Sequence, residues 1–312
     1  MNPPNGAYAF ADIFSEAEWQ ALLMRTLFPH MPQSWAFGEA KRVEGFKPRR
    51  IVVTLHGEPV AVCQILFKYL SAAARINQGP MMLQGCADQE MSVIAAFRNR
   101  WRYLRRGLLL IAPAIGKSPE TEAAMIGRGF RRRSHFSLES SRVDLTKSEA
   151  EMRKTLDSKW RNQLKKSEGN NLRLAVSSDL NDVEWMLQIH QEHVTTKNFA
   201  DKAPTVAVIR ALYNASPTDF LVCRAIHNDI PVAALVAYKF AGGAQYYIGW
   251  YGTEGRSLNA GNFLLWNVAL ALKAVGAVWF DLGGHSGNQN YSKFKLGMNG
   301  TGYKTAGEFL TF

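Results

Sequence analysis

The sequence is short of the features that define several large protein classes. Cysteine occurs three times in 312 residues, at Cys63, Cys86 and Cys223, far apart and odd in number. That argues against a disulfide-stapled secreted fold and leaves no paired-cysteine spacing for zinc, so the three read as small residues in a reducing compartment. Long apolar runs are missing too. The longest, Gly107 to Ile115, is under half the ~20 residues that a membrane-spanning helix needs. The opening Met1-Asn-Pro-Pro-Asn-Gly6 has neither the basic start nor the apolar core of a secretory signal, and a cytoplasmic location is the expectation. Acids are scarce beside bases: 26 Asp and Glu against 37 Lys and Arg leave a formal charge of +11.

What is present is the composition of a globular chain, 47% hydrophobic and 20% charged, at a length suited to two domains. The positive charge is clustered: Arg98, Arg100, Arg102, Arg105 and Arg106 on one predicted helix, Arg128 and Arg131 to Arg133 at a turn, and Lys159, Arg161, Lys165 and Lys166 on another helix. Nucleic acid, anionic lipid head groups and phosphorylated substrates all suit such patches. Taken singly, each cluster also reads as a solvated helix face.

Two segments repeat each other. Leu55-His-Gly-Glu-Pro-Val-Ala and Ile226-His-Asn-Asp-Ile-Pro-Val-Ala each read as strand, tight polar turn and long strand, with His56 and Lys68 spaced as His227 and Lys239 are. The flanks agree in order, so each half is predicted to be an α+β unit, a mixed sheet with helices on both sides. A single helix is expected over Glu149 to Glu168, with Met152, Leu156, Trp160 and Leu164 as its apolar stripe under a basic face. The expected division is therefore residues 1–146, a linking basic helix at 147–170, and residues 171–312.

The most informative block is Phe280-Asp-Leu-Gly-Gly284, an apolar strand ending in an acid and two glycines, followed on the next helix by Phe294-Lys295-Leu-Gly297. Glycine permits close approach to the backbone and the lysine brings a positive charge to the carboxyl edge of a sheet, where ligands bind. Asp281 and His285 are both suited to accept a proton, and Asp281 is equally suited to fixing the Gly283-Gly284 turn. His190, Glu192 and His193 share a helix but lack a third ligand at convincing spacing, so no metal site is expected.

The element order and the ending Ala124-Met-Ile-Gly-Arg-Gly-Phe130 resemble the GCN5-related N-acetyltransferase (GNAT) fold, here twice in tandem. The whole chain resembles the Fem family of peptidoglycan-bridge aminoacyl transferases. The match rests on Gln33-Ser-Trp-Ala-Phe-Gly-Glu-Ala-Lys41, Asn77-Gln-Gly-Pro80, Val143-Asp-Leu145, Lys159-Trp-Arg-Asn-Gln-Leu-Lys-Lys166 and the Phe280-to-Gly297 block. The coiled-coil insertion of some members is absent.

The resemblance implies transfer of an amino acid from aminoacyl-tRNA, as co-substrate and without a further cofactor, to an amine of a phosphorylated peptide or lipid-linked precursor of the peptidoglycan type. It places the acceptor in the first half and the reacting ester near the second, with peripheral contact at the inner membrane. It assigns Lys295 to the transferred group and tRNA end, Phe294 to orienting that lysine, and Lys41 and Lys197 to the precursor's phosphates. A surface role for either of those two lysines stays open. Tyr251, beside Trp250, sits at a strand end opening toward the second-half pocket, and Asp281 and Gly283 lie at its edge. The first copy has Met125 or a close neighbour where the second has Lys295, so chemistry is expected in the second half. Two alternatives remain. An acetyl-CoA-dependent N-acyltransferase would need a glycine-rich pyrophosphate loop, and the nearest match, Arg256-Ser-Leu-Asn259-Ala-Gly261, carries Asn at the central Gly. A noncatalytic RNA- or envelope-binding protein on a transferase fold is the other.

Overall fold

In the computed structural model, which describes residues 8–68, 73–103, 107–134, 137–197, 203–284 and 289–311, the repeated segments form matching β-hairpins. Both loops are two residues long and both residues have positive φ: His56 at 52° and Gly57 at 89°, Asn228 at 48° and Asp229 at 62°. This is the turn whose twist matches that of the flanking strands. Each hairpin also shifts register just before its loop, between Val53 and Thr54 and between Ala225 and Ile226. The duplication is thus present in the backbone as well as in the sequence.

The strands are β1 (Tyr8–Ile13), β2 (Lys47–Leu55), β3 (Glu58–Lys68), β4 (Ala73–Asn77), β5 (Met81–Met82), β6 (Leu108–Ala112), β7 (Arg131–Ser134), β8 (Glu139–Asp144), β9 (Arg173–Ser177), β10 (Phe220–His227), β11 (Ile230–Phe240), β12 (Gly243–Tyr251), β13 (Trp279–Asp281), β14 (Thr301–Lys304) and β15 (Glu308–Thr311). One sheet has the order β1-β2-β3-β4-β6-β15-β7, with β5 on β3; the other has the order β14-β8-β13-β12-β11-β10-β9. Both are mixed. Each contains a parallel pair, β4–β6 and β12–β13, bridged by a helix, Glu90–Tyr103 and Ala260–Ala274 respectively. The fold is therefore α+β in two GNAT-like units, as the sequence predicts.

The compact units are Met1–Leu138 with Lys304–Phe312, and Glu139–Tyr303. They differ from a division into 1–146, 147–170 and 171–312 because the strand ending each copy pairs in the other copy's sheet. β8 pairs antiparallel with β13, and β15 inserts between β6 and β7, where Phe309 is fully buried in the first core. Sequence proximity favours local pairing, so the exchange leaves no mark in the sequence.

The basic segment is also not one helix. It breaks into Glu149–Thr155 and Ser158–Glu168, because Leu156 takes an extended ψ of 141° and the Asp157 carboxylate accepts from the Lys159 and Trp160 amides. A side chain that satisfies free amides at a helix start makes the break locally favourable, by about 1 kcal/mol. Met152, Leu156, Trp160 and Leu164 all pack into the second unit's core, so the segment belongs to that unit rather than linking two. Among the described residues, no helix is long and apolar enough to cross a membrane.

The parallel pairs differ between the copies, and this difference positions the site. In the first unit β4 stays paired with β6 from Ala73↔Leu108 to Asn77↔Ala112. In the second, β12 pairs with β13 only at Ala244↔Phe280 and Gln245↔Asp281. Beyond these residues β12 runs on to Tyr251 while β13 ends in the Leu282-Gly283-Gly284 turn, held on its other side by Leu282 N–H donating to the Ser141 carbonyl.

Candidate active site

At the point where β12 and β13 part, Gly283 has φ 69°, and a Cβ placed there would stand 2.4 Å from the Tyr246 carbonyl oxygen. Both the left-handed backbone and the close approach require glycine. The helix Gln289–Leu296 returns Lys295 to this turn. Its ammonium lies 3.4 Å from the Gly283 carbonyl oxygen and 3.3 Å from that of Gly284, and 4.1 Å from the centroid of the Tyr246 ring. Lys295 is 1% exposed, an unusual burial for a lysine. Burial pushes its pKa down to about 7, with the charge of Asp281 opposing the fall.

Asp281 is fully buried beside it. Its Oδ1 accepts from Ser140 Oγ at 2.6 Å and from the Gly283 amide at 2.9 Å; its Oδ2 accepts from Arg142 Nε at 3.0 Å and from the Tyr303 hydroxyl at 2.7 Å. Burial alone would raise its pKa, but the Arg142 charge and the hydrogen bonds from Ser140, Tyr303 and Gly283 outweigh it and hold the carboxyl below the usual range. So strongly stabilised an anion is a poor proton acceptor. Of the two roles open to Asp281, its surroundings suit fixing the turn.

Next to this network is a cleft of about 770 Å³ in the second unit, a size ordinary for small-molecule sites. Trp160, Tyr251 and Phe294 give it an aromatic wall: the Tyr251 and Phe294 ring centroids are 5.8 Å apart, and the Trp160 indole N–H donates to the Phe294 carbonyl at 2.9 Å. Lys159, Arg256 and Lys293 supply positive charge. The floor is the start of the 15-residue helix Ala260–Ala274, whose cap, Asn259, makes no side-chain capping bond. Asn262, which also lines the cleft, is 5% exposed, and its Nδ2 has no hydrogen-bond partner among the described residues. A helix start with free amides attracts phosphate or another anion. Asn259 has φ 52°, the conformation that glycine would supply, so its presence in the Arg256-to-Gly261 loop leaves the backbone intact and does not weigh against a pyrophosphate ligand. A second groove of about 440 Å³ shares Lys159, Gln163 and Asn259 with the cleft and adds Ser158, Asn162 and Lys166 along the helix Ser158–Glu168.

The structure brings Lys295, Phe294, Tyr251, Asp281 and Gly283 together in the second unit. Lys295 is not among the described residues lining the cleft; Lys293, Phe294 and Leu296 line it, and Lys295 turns to the Gly283-Gly284 side. Lys41 lies in the first unit and its ammonium is 2.8 Å from Glu44 Oε2. Lys197 ends the helix Leu180–Lys197, with its side chain outside the description; His285, Arg105 and Arg106 also lie outside the described residues. Met125 is buried in the first core. His190 is buried with Nε2 3.0 Å from the Pro204 carbonyl oxygen, and among the described residues no three His, Cys, Asp or Glu are grouped to hold a metal ion. Ser140, Arg142, Tyr246 and Asn262 escaped sequence reasoning. Nothing local in the sequence signals Arg142, because its partner Asp281 is 139 residues away.

Comparison with known proteins agrees with this architecture. Residues 150–295 match the family model described as an acetyltransferase (GNAT) domain. No curated protein matches the sequence. Among solved structures, FemX matches with a TM-score of 0.78 at 13% identity, over 97% of this chain and 96% of FemX. A tandem GNAT protein from the clavulanic acid biosynthesis pathway matches at 0.57 and 10% identity, over 97% and 98% of the two chains. L-PGS from Bacillus licheniformis matches at 0.57 and 13%, over 94% of this chain and 90% of that one. The chain is a tandem GNAT-fold protein. Its two halves, each with its own sheet, fit a Fem-type tandem GNAT fold.

Proposed function

We propose that this protein is an aminoacyl transferase that takes an amino acid from aminoacyl-tRNA and forms an amide with an amine of a peptidoglycan-type precursor or related peptide. The observation that carries the reading is the cleft in the second unit, where an aromatic wall, a helix start and three cations meet and continue into the basic groove along Ser158–Glu168. Aromatic faces stack bases, and cations along a groove follow a phosphodiester backbone. Lys159 and Lys166 are seven residues apart on the helix, roughly 10 Å, which suits a ligand with phosphates beyond the cleft. The likeness to FemX and L-PGS in fold supports the same reading.

In this account the precursor's amine attacks the ester carbonyl, the C–N bond forms as the C–O bond to the ribose breaks, and the proton passes from the amine to the departing oxygen through substrate or water. Lys295, in its cationic form, offsets the negative charge that develops on the ester's carbonyl oxygen or the standing charge of the terminal phosphate. Phe294 fixes the helix that presents it, through its ring contacts and its carbonyl bond to Trp160. Lys41 and Lys197 are proposed for the precursor's phosphates; at Lys41 an incoming phosphate would compete with Glu44. The fold and charge suit work at the cytoplasmic side of the inner membrane.

Acetyl-CoA is the second reading, favoured by the glycine-like conformation of Asn259. Incubating purified protein with charged tRNA or with acetyl-CoA, each with a muropeptide precursor, and reading products by mass separates the two. Aminoacyl addition from charged tRNA is expected, and acetyl addition from acetyl-CoA alone would overturn the proposal. Tight tRNA binding with no transfer from either would instead indicate a noncatalytic RNA-binding protein.

A further inference from the structure

The carbonyls that receive the Lys295 ammonium belong to a turn that is itself held. Asp281 accepts the Gly283 amide at 2.9 Å, and one such bond is enough to fix a turn of this kind. The carboxylate is nevertheless served by Ser140, Arg142 and Tyr303 as well. Arg142 is anchored in turn, its guanidinium carbon 4.3 Å from the centroid of the Trp279 ring. Ser140 and Arg142 come from β8 and Tyr303 from β14, so residues from two other strands keep one fully buried negative charge on β13 in place next to Lys295. In a weakly polarisable interior such a charge acts on its neighbour far more strongly than it would in water.

We propose that Asp281 is a positioning residue for Lys295: through the Gly283 amide it fixes the carbonyls that hold the ammonium, and its buried charge keeps that lysine cationic. The inference rests on the reading that Lys295 serves transfer as a cation. Among the described residues, the groups facing Lys295 include the Tyr246 ring from β12, the Gly283 and Gly284 carbonyls and Asp281 from the β13 turn, and, through Asp281, Arg142 from β8 and Tyr303 from β14. Among them Asp281 supplies the negative charge, set against burial that favours the neutral amine. Without substrate contact of its own, Asp281 would act through the lysine.

The test is a titration of the Lys295 side chain by NMR at its ε-carbon, with the signal assigned by its loss in Lys295→Met. A midpoint near 7 is expected in the wild type. In Asp281→Asn it should fall by about one unit or more, as removal of a close opposite charge does. Tyr303→Phe deletes one oxygen, keeps the carboxylate and leaves its charge less compensated, so there the midpoint should rise. An unchanged midpoint in Asp281→Asn, with native near-ultraviolet circular dichroism, would overturn the proposal. Should that variant not fold, Tyr303→Phe decides, and an unchanged midpoint there overturns it equally. The titration is read without substrate, so it stands apart from the transfer assay: a protein that titrates as expected but transfers nothing from charged tRNA would refute the function and not the coupling.

Discussion

A lysine with 1% exposure and a pKa near 7 ties the chemistry of this site to its stability. Between pH 7 and the ordinary value of 10.5 the unfolded chain binds a proton at Lys295 that the native chain does not, so native stability should rise with pH across that window. Below pH 7 the cost of the buried charge is fully present. Lys295→Met should therefore be more stable than the wild type by an amount greatest below pH 7 and vanishing above 10.5, as urea unfolding at pH 6, 8 and 10 would reveal. Activity should run the other way: a cationic role makes turnover fall as pH climbs through about 7, whereas a general-base role would make it climb. Gly283→Ala should destabilise by at least about 1–2 kcal/mol, the cost of left-handed backbone for a residue with Cβ, with the Tyr246 carbonyl adding to it; thermal melts would measure this. The Phe280-to-Gly297 block made Lys295 and Gly283 legible in the sequence. The network around Asp281 beside Lys295 was not legible, because Arg142, Ser140 and Tyr303 are brought to that carboxylate from far along the chain.

Among elements, those closed by local chemistry were readable and those closed by distant pairing were not. The two hairpins follow from two-residue turns that take positive φ. The break at Asp157 shows local chemistry working against a periodic pattern: the apolar stripe continues through it, yet a capping carboxylate divides the helix. The second of these helices then lays Lys159 and Lys166 along the small groove. Replacing both by Ala should weaken nucleic-acid binding and reduce the magnitude of the salt slope by about 1–2, since each phosphate contact contributes ~0.7–0.9, as measured by fluorescence anisotropy with a single-stranded oligonucleotide across salt concentrations. An unchanged slope would remove the groove from the binding surface.

For the molecule as a whole, the exchange of β8 and β15 makes each unit depend on chain that its own sequence copy does not supply. β15 sits between β6 and β7, so a chain ending at Tyr303 should lose the fold of the first unit, although that unit's main segment is intact. Limited proteolysis should then cut within residues 1–138 while the second unit resists. The asymmetry of the copies is the central point: one parallel pair stays closed, and the other opens beside a cleft and a buried lysine. The most direct measurement is single-turnover amide formation from charged tRNA by wild type and Lys295→Met. The account predicts tRNA affinity within about twofold and product formation at least ~100-fold slower in the variant, the scale expected for losing a charge-stabilising group in the transition state. Equal rates, or no product from charged tRNA in either protein, would contradict it.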